Sequence, residues 1–148
     1  MEEMYYPETY FKIDILNEIL KEFDWPCPYE TARSGADIVL YFPKCELLII
    51  EGFDSHMYAV FPNCYTGRND MQDSLKLSRA VGVIRDKKMK DPNYKDPLLH
   101  ELDDDPSLDK VKDGIRNICI LIQTFLLPCV VDGDFSWVDD YNKECCRS

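Results

Sequence analysis

The chain has 148 residues, enough for a single domain with a full hydrophobic core and no need of a disulfide or metal staple. Its 28 acidic and 17 basic residues give a formal net charge of −11, which disfavours direct binding to nucleic acid or an anionic membrane and favours basic partners, or simply keeps the protein soluble. Apolar residues at 45% and aromatic residues at 12% exclude a disordered chain.

Pro7 suits the first turn of a helix, where its missing N–H costs nothing. Leu16, Ile19, Leu20 and Phe23 then recur at spacings of three and four, with Lys12, Asp14, Glu18, Lys21 and Glu22 opposite, which predicts an N-terminal helix. Pro26 and Pro28 stop it. Three apolar runs follow, Ala36 to Phe42, Glu46 to Glu51 and Met57 to Phe61, closed by Pro43, Gly52 and Pro62. Their connections have hairpin length, so a three-stranded antiparallel meander is expected. The first two runs are apolar almost throughout, as for strands buried on both faces.

A helix from Asp70 or Asp73 to about Lys90, with Met71, Leu75 and Leu77 inward, competes with a break or a short fourth strand at Ala80 to Ile84. Lys87 to Ser107 reads as loop, punctuated by Asp91-Pro92, Asp96-Pro97 and Asp105-Pro106. Asp105 as N-cap and Pro106 as first helical residue open a long helix that should end before Pro128. Leu108, Val111, Ile115, Ile118, Ile122 and Phe125 form its stripe, while Ile120, Leu121, Leu126 and Leu127 fall outside it. A helix apolar on more than one side lies in the core or against a partner, such as a second copy of the chain. The tail, 132–148, has room for one more short helix. The expected fold is therefore α+β in one domain over 1–148: a three-stranded antiparallel meander, with or without a fourth strand, packed against an N-terminal helix and a long C-terminal helix.

The apolar stretch Ile118 to Val131 covers 14 residues and is interrupted by Gln123 and Pro128, which is short for a membrane span. Met1 to Pro7 carries neither the basic nor the apolar part of a signal peptide, so a cytoplasmic, reducing location with mostly free thiols is expected. Cys45, Cys64 and Cys119 stand among apolar neighbours and read as core residues.

No familiar catalytic pattern is complete. Asp37, Glu51 and Asp54 resemble the carboxylates of metal-dependent nucleases, but the lysine that such chemistry places nearby is missing after Glu51. Asp132, Asp134 and Ser136 begin like a calcium loop, yet Trp137 and Lys143 stand where glycine and glutamate are required. The cysteines lack close metal-binding spacing. His56 and His100 leave a cysteine–histidine dyad to spatial assembly alone. No metal and no cofactor is expected.

Charge patterning is more informative. Acidic residues gather in three zones: the N-terminal helix; Glu101, Asp103, Asp104, Asp105 and Asp109; and Asp132, Asp134, Asp139 and Asp140, interleaved with Phe135, Trp137 and Tyr141. Carboxylates beside exposed aromatics make a surface for a basic protein, in which aromatics anchor and charges steer. Glu101, Asp103, Asp104, Asp105, Asp132, Asp134, Phe135, Trp137, Asp139 and Asp140 are accordingly the candidate partner-binding residues. The competing reading is that the aromatics pack the tail onto the core. The basic zone from Lys76 to Lys95 could pair internally with these acids.

The meander at Ala36 to Phe61, the helix at Ile115 to Leu127 and the tail Gly133-Asp134-Phe135-Ser136-Trp137 together resemble bacterial immunity proteins that neutralise a cognate toxin. The resemblance covers architecture and carries over no residue roles. It implies a non-catalytic inhibitor whose partner is a basic, nuclease-like toxin, bound rapidly and with salt sensitivity. The alternatives are a phage-type anti-defence protein or acidic nucleic-acid mimic, and a small enzyme with a spatially assembled site.

Overall fold

Period-two burial along the strands builds the sheet that organises the molecule. The computed structural model describes residues 10–61 and 75–146. Five strands, β1 (Glu30–Ser34), β2 (Asp37–Phe42), β3 (Cys45–Glu51), β4 (Met57–Phe61) and β5 (Leu75–Lys76), pair in chain order, every neighbour antiparallel. The expected three-stranded meander is its centre, β2 to β4. The register sets Ile38 opposite Ile49 and Leu40 opposite Leu47. These side chains, with Phe42, Met57, Ala59 and Phe61, form the buried face. On the other face Val39, Leu48 and Ile50 are half-buried, which is why β2 and β3 read as apolar throughout. The edge strands β1 and β5 were not expected: Glu30–Ser34 has no apolar alternation, and Leu75–Lys76 is two residues long.

Helix α1 (Ile13–Leu20) buries Leu16, Ile19 and Leu20. It stops short of Phe23, and the Trp25 indole N–H donates to the Leu20 carbonyl at 2.9 Å, satisfying one open acceptor of the helix end. Phe23, Trp25, Tyr29 and Phe42 then form a ring cluster beside β2. Pro7 lies outside the described residues.

Helix α2 (Leu77–Lys88) occupies the place considered for a short strand at Ala80 to Ile84. Leu77, Ala80 and Val81 are buried at helical spacing, and burying that stripe outweighs the low helix propensity of Val81 and Val83. The helix does not start before Leu77, because Leu75 and Lys76 pair with β4 as β5; Asp70, Met71 and Asp73 lie outside the described residues. No helix or strand forms between Met89 and Ser107, yet the segment is anchored. The Tyr94 ring lies 6.3 Å from that of Phe125. Asn117 receives the His100 backbone N–H at 2.7 Å and donates to the His100 carbonyl at 2.9 Å.

Helix α3 (Leu108–Leu121) is capped by Ser107 rather than by Asp105: the Ser107 Oγ accepts the Lys110 backbone N–H at 3.1 Å. Nor does Pro128 end the helical run. A wide π-turn (Ile122–Leu126) leads into α4 (Leu127–Asp132), and Pro128 occupies the first turn of α4, where no N–H is required. The chain then closes with α5 (Val138–Cys146). The continuous run Leu108–Asp132 is long and apolar enough to cross a membrane by length and composition, but half of its most apolar stretch is buried in the fold. Of the apolar residues outside the stripe, Leu126 is buried and Leu121 and Leu127 pack against the same cluster as the stripe. Gly114 permits its close approach to the sheet, since a Cβ there would lie 2.8 Å from Met57 Cγ and 2.9 Å from Met57 Cβ.

Candidate functional site

The turn between β3 and β4 carries the most unusual local geometry. Gly52 N–H donates to the His56 carbonyl at 2.7 Å, and His56 N–H to the Phe53 carbonyl at 3.1 Å. The two central residues, Asp54 and Ser55, both have positive φ, 56° and 60°. Aspartate tolerates this conformation moderately and serine less well, so the turn holds strain of about 1–3 kcal/mol per residue, of the sort that persists where the surroundings over-determine it. Those surroundings are visible. Ser55 is buried, and the turn Phe53–Ser55 packs against α3. The Tyr58 ring lies over Gly52, where a Cβ would come within 2.8 Å of it. The result is a supported tip on which Phe53 stands 89% exposed.

A groove of about 570 Å³ opens beside this tip, lined by Gly52, Phe53, Asp54, His56, Tyr58, Asp104 and Lys110. Asp104 enters it from the acidic segment before α3, and Lys110 from the first turn of α3. Glu101, Asp103, Asp105 and Asp109 are exposed nearby in sequence, and among the described residues no ion pair engages them or Asp104.

The acidic tail is arranged differently. Trp137 is 4% exposed, and its indole N–H donates to the Cys129 Sγ at 2.9 Å. Phe135 is half-buried, edge-on to Phe61 at 6.0 Å. Tyr141 is buried and accepts the Lys76 backbone N–H at 3.0 Å. These rings pack the tail onto the core. Asp140 is paired with Lys87 of α2, and that ion pair holds its carboxyl below the usual carboxylate range. Asp134 accepts the Ser136 backbone N–H at 3.0 Å, which likewise lowers its carboxyl. Asp132 and Asp139 are exposed. Of the candidate residues, therefore, Asp104 borders the groove and Glu101, Asp103 and Asp105 flank it in sequence. The tail aromatics serve the core, and one of its acids meets the basic zone as an internal pair.

No family model, curated protein or solved structure matches the chain. The chemistry must therefore be judged from the site alone.

The nuclease-like carboxylates do not converge. Asp37 and Glu51 lie on opposite faces of the sheet, since Asp37 shares the face of Val39 and Glu51 that of Ile49. Burial pushes the Asp37 carboxyl up. Among the described residues no three metal-ligating side chains cluster. Burial pushes three of the described thiols up: Cys27, Cys119 to about 12 and Cys129 to about 11. A nucleophilic cysteine needs the reverse shift. Cys45 and Cys119 are buried as expected of core residues, and Cys64 lies outside the described residues.

Sequence reading missed Phe53, Asp54 and Lys110 as groove residues. A Phe-Asp-Ser-His turn between two strands gives no hint of its left-handed pair, and Lys110 reads as ordinary helix surface.

Proposed function

We propose that the chain is a non-catalytic, acidic binding protein of the immunity type, which neutralises a cognate basic toxin by direct contact. The observation that carries this reading is Phe53, an almost fully exposed aromatic held on a strained, well-supported turn beside Asp54 and Asp104. An aromatic on a rigid support loses little conformational entropy when it enters a partner's pocket. Asp104 beside it, with the exposed carboxylates that flank Asp104 in sequence, would accelerate encounter with a basic surface. The net charge of −11 supports the same partner chemistry. Within this reading the contact surface centres on the β3–β4 turn and the segment before α3, and the tail acts as its scaffold.

The test is binding to candidate basic toxin domains across a salt series. Phe53→Ala should weaken a cognate complex by about 2 kcal/mol, some thirtyfold, chiefly through faster dissociation. Asp54→Lys with Asp104→Lys should slow association and flatten the salt dependence. A cognate complex whose affinity ignores all three changes, in variants with unaltered circular dichroism, would remove the turn from the interface. A partner that binds only in competition with nucleic acid would favour the nucleic-acid mimic instead.

A further inference from the structure

Lys110 is the least expected residue of the groove. It is only 6% exposed and lies in the first turn of α3. Its backbone N–H is satisfied by Ser107. Among the described residues no carboxylate or carbonyl pairs with its ammonium. A cation near the positive end of a helix dipole is disfavoured, and a buried charge without a counterion more so. Both effects reverse if an anion lies beside it.

The rest of the lining selects the anion. Asp54 and Asp104 line the same groove, so its lining holds one lysine and two aspartates. A dianionic phosphate would be repelled by that pair, whereas a single carboxylate flanked by cations would satisfy all three groups. We propose that the groove is a recognition site for a carboxylate set among cations: the carboxylate docks on Lys110, and the accompanying cations on Asp54 and Asp104. Tyr58 and His56 complete the polar lining, and Phe53 offers a face for the aliphatic part of a basic side chain. This deepens, and rests on, the reading of the groove as a recognition surface. The same chemistry has two sources: a free basic amino acid, or an acidic side chain between basic ones on a protein.

Amide NMR titration of the full chain tests this without a toxin partner. The probes are L-arginine and a blocked pentapeptide with one glutamate between two arginines; argininamide, which has the cations but no carboxylate, is the control. At least one carboxylate probe should move the Gly52, His56 and Lys110 signals saturably, about tenfold more tightly than argininamide. Saturation by arginine assigns the site to a free amino acid, and saturation by the peptide to a protein segment. Lys110→Met should abolish the preference for a carboxylate without lowering the urea midpoint, because methionine fills the stem's place and removes a buried charge. Lys110→Arg should keep the preference, and it decides the matter if the methionine variant does not fold. Argininamide binding as tightly as both probes, no saturation by either probe, or an unchanged preference in Lys110→Met would each overturn the proposal. Loss of toxin binding in Phe53→Ala is independent of these outcomes, so the two readings fail separately.

Discussion

Two mid-helix glycines should respond to the same substitution with opposite signs. Gly82 of α2 has nothing within 4 Å of an added Cβ, so Gly82→Ala gains only helix propensity, about 0.5–1 kcal/mol. Gly114 of α3 would gain the same propensity, but its Cβ would stand 2.9 Å from Met57 Cβ and 2.8 Å from Met57 Cγ. Met57 Cβ is fixed to the β4 backbone and cannot rotate away, so α3 and β4 must separate. Overpacking of this sort costs about 1–3 kcal/mol. The net expectation for Gly114→Ala is a loss of about 1–2 kcal/mol, or roughly 3–6 °C in Tm for a chain of this size. Urea unfolding followed by the fluorescence of Trp25 and Trp137 measures both variants. Met57→Ala removes the Cγ half of the clash, so the double variant should lose less than the sum of the singles. Gly114→Ala as stable as Gly82→Ala would refute the close approach as the reason for this glycine. His56 and Tyr58 flank Met57 and line the groove, so the same variant should also disturb their amide signals.

Two pH responses follow from buried and paired groups. Cys119 ionises near 9.0 in the unfolded chain but is pushed up to about 12 when folded, mainly by burial and secondarily by Glu22. The folded state thus keeps its proton longer, and stability is lost as pH rises from about 9.0 toward 12, by an amount on the order of 4 kcal/mol at the top of that window. Cys119→Ala should flatten alkaline urea titrations relative to the parent protein, and an unchanged slope would contradict the shift. At the acid end, the Arg116 guanidinium grips both oxygens of Glu22 at 2.9 Å and holds its carboxyl below 4.5. That contribution is present above 4.5 and lost as pH falls through the lowered value. Because the pair is partly exposed, Glu22→Gln should cost no more than about 1 kcal/mol at neutral pH. The cost should vanish in acid, and a cost that persists at low pH would assign Glu22 a role other than its charge.

Period and punctuation in the sequence determined the centre of the fold. Short apolar runs closed by proline and glycine dictate β2, β3 and β4. The stripe of Val111, Ile115 and Ile118 dictates α3. These signals are local, because each residue's burial follows from its own neighbours along the chain. The edge strand β1 is set by pairing with β2 and not by its own composition, and Pro128 continues a helical run because a π-turn shifts the hydrogen-bond register before it. The charge distribution was legible as three acidic zones, but not which of them stays free. Tertiary packing decided that: the tail rings entered the core and carried Asp140 to Lys87, while the segment before α3 brought Asp104 to the groove. The site itself depends on a left-handed turn, an exposed Phe53 and a buried Lys110. The turn is local but has no sequence signature, and the burial of Lys110 and its meeting with Asp54 and Asp104 in one groove join segments distant in sequence, which only the folded chain brings together.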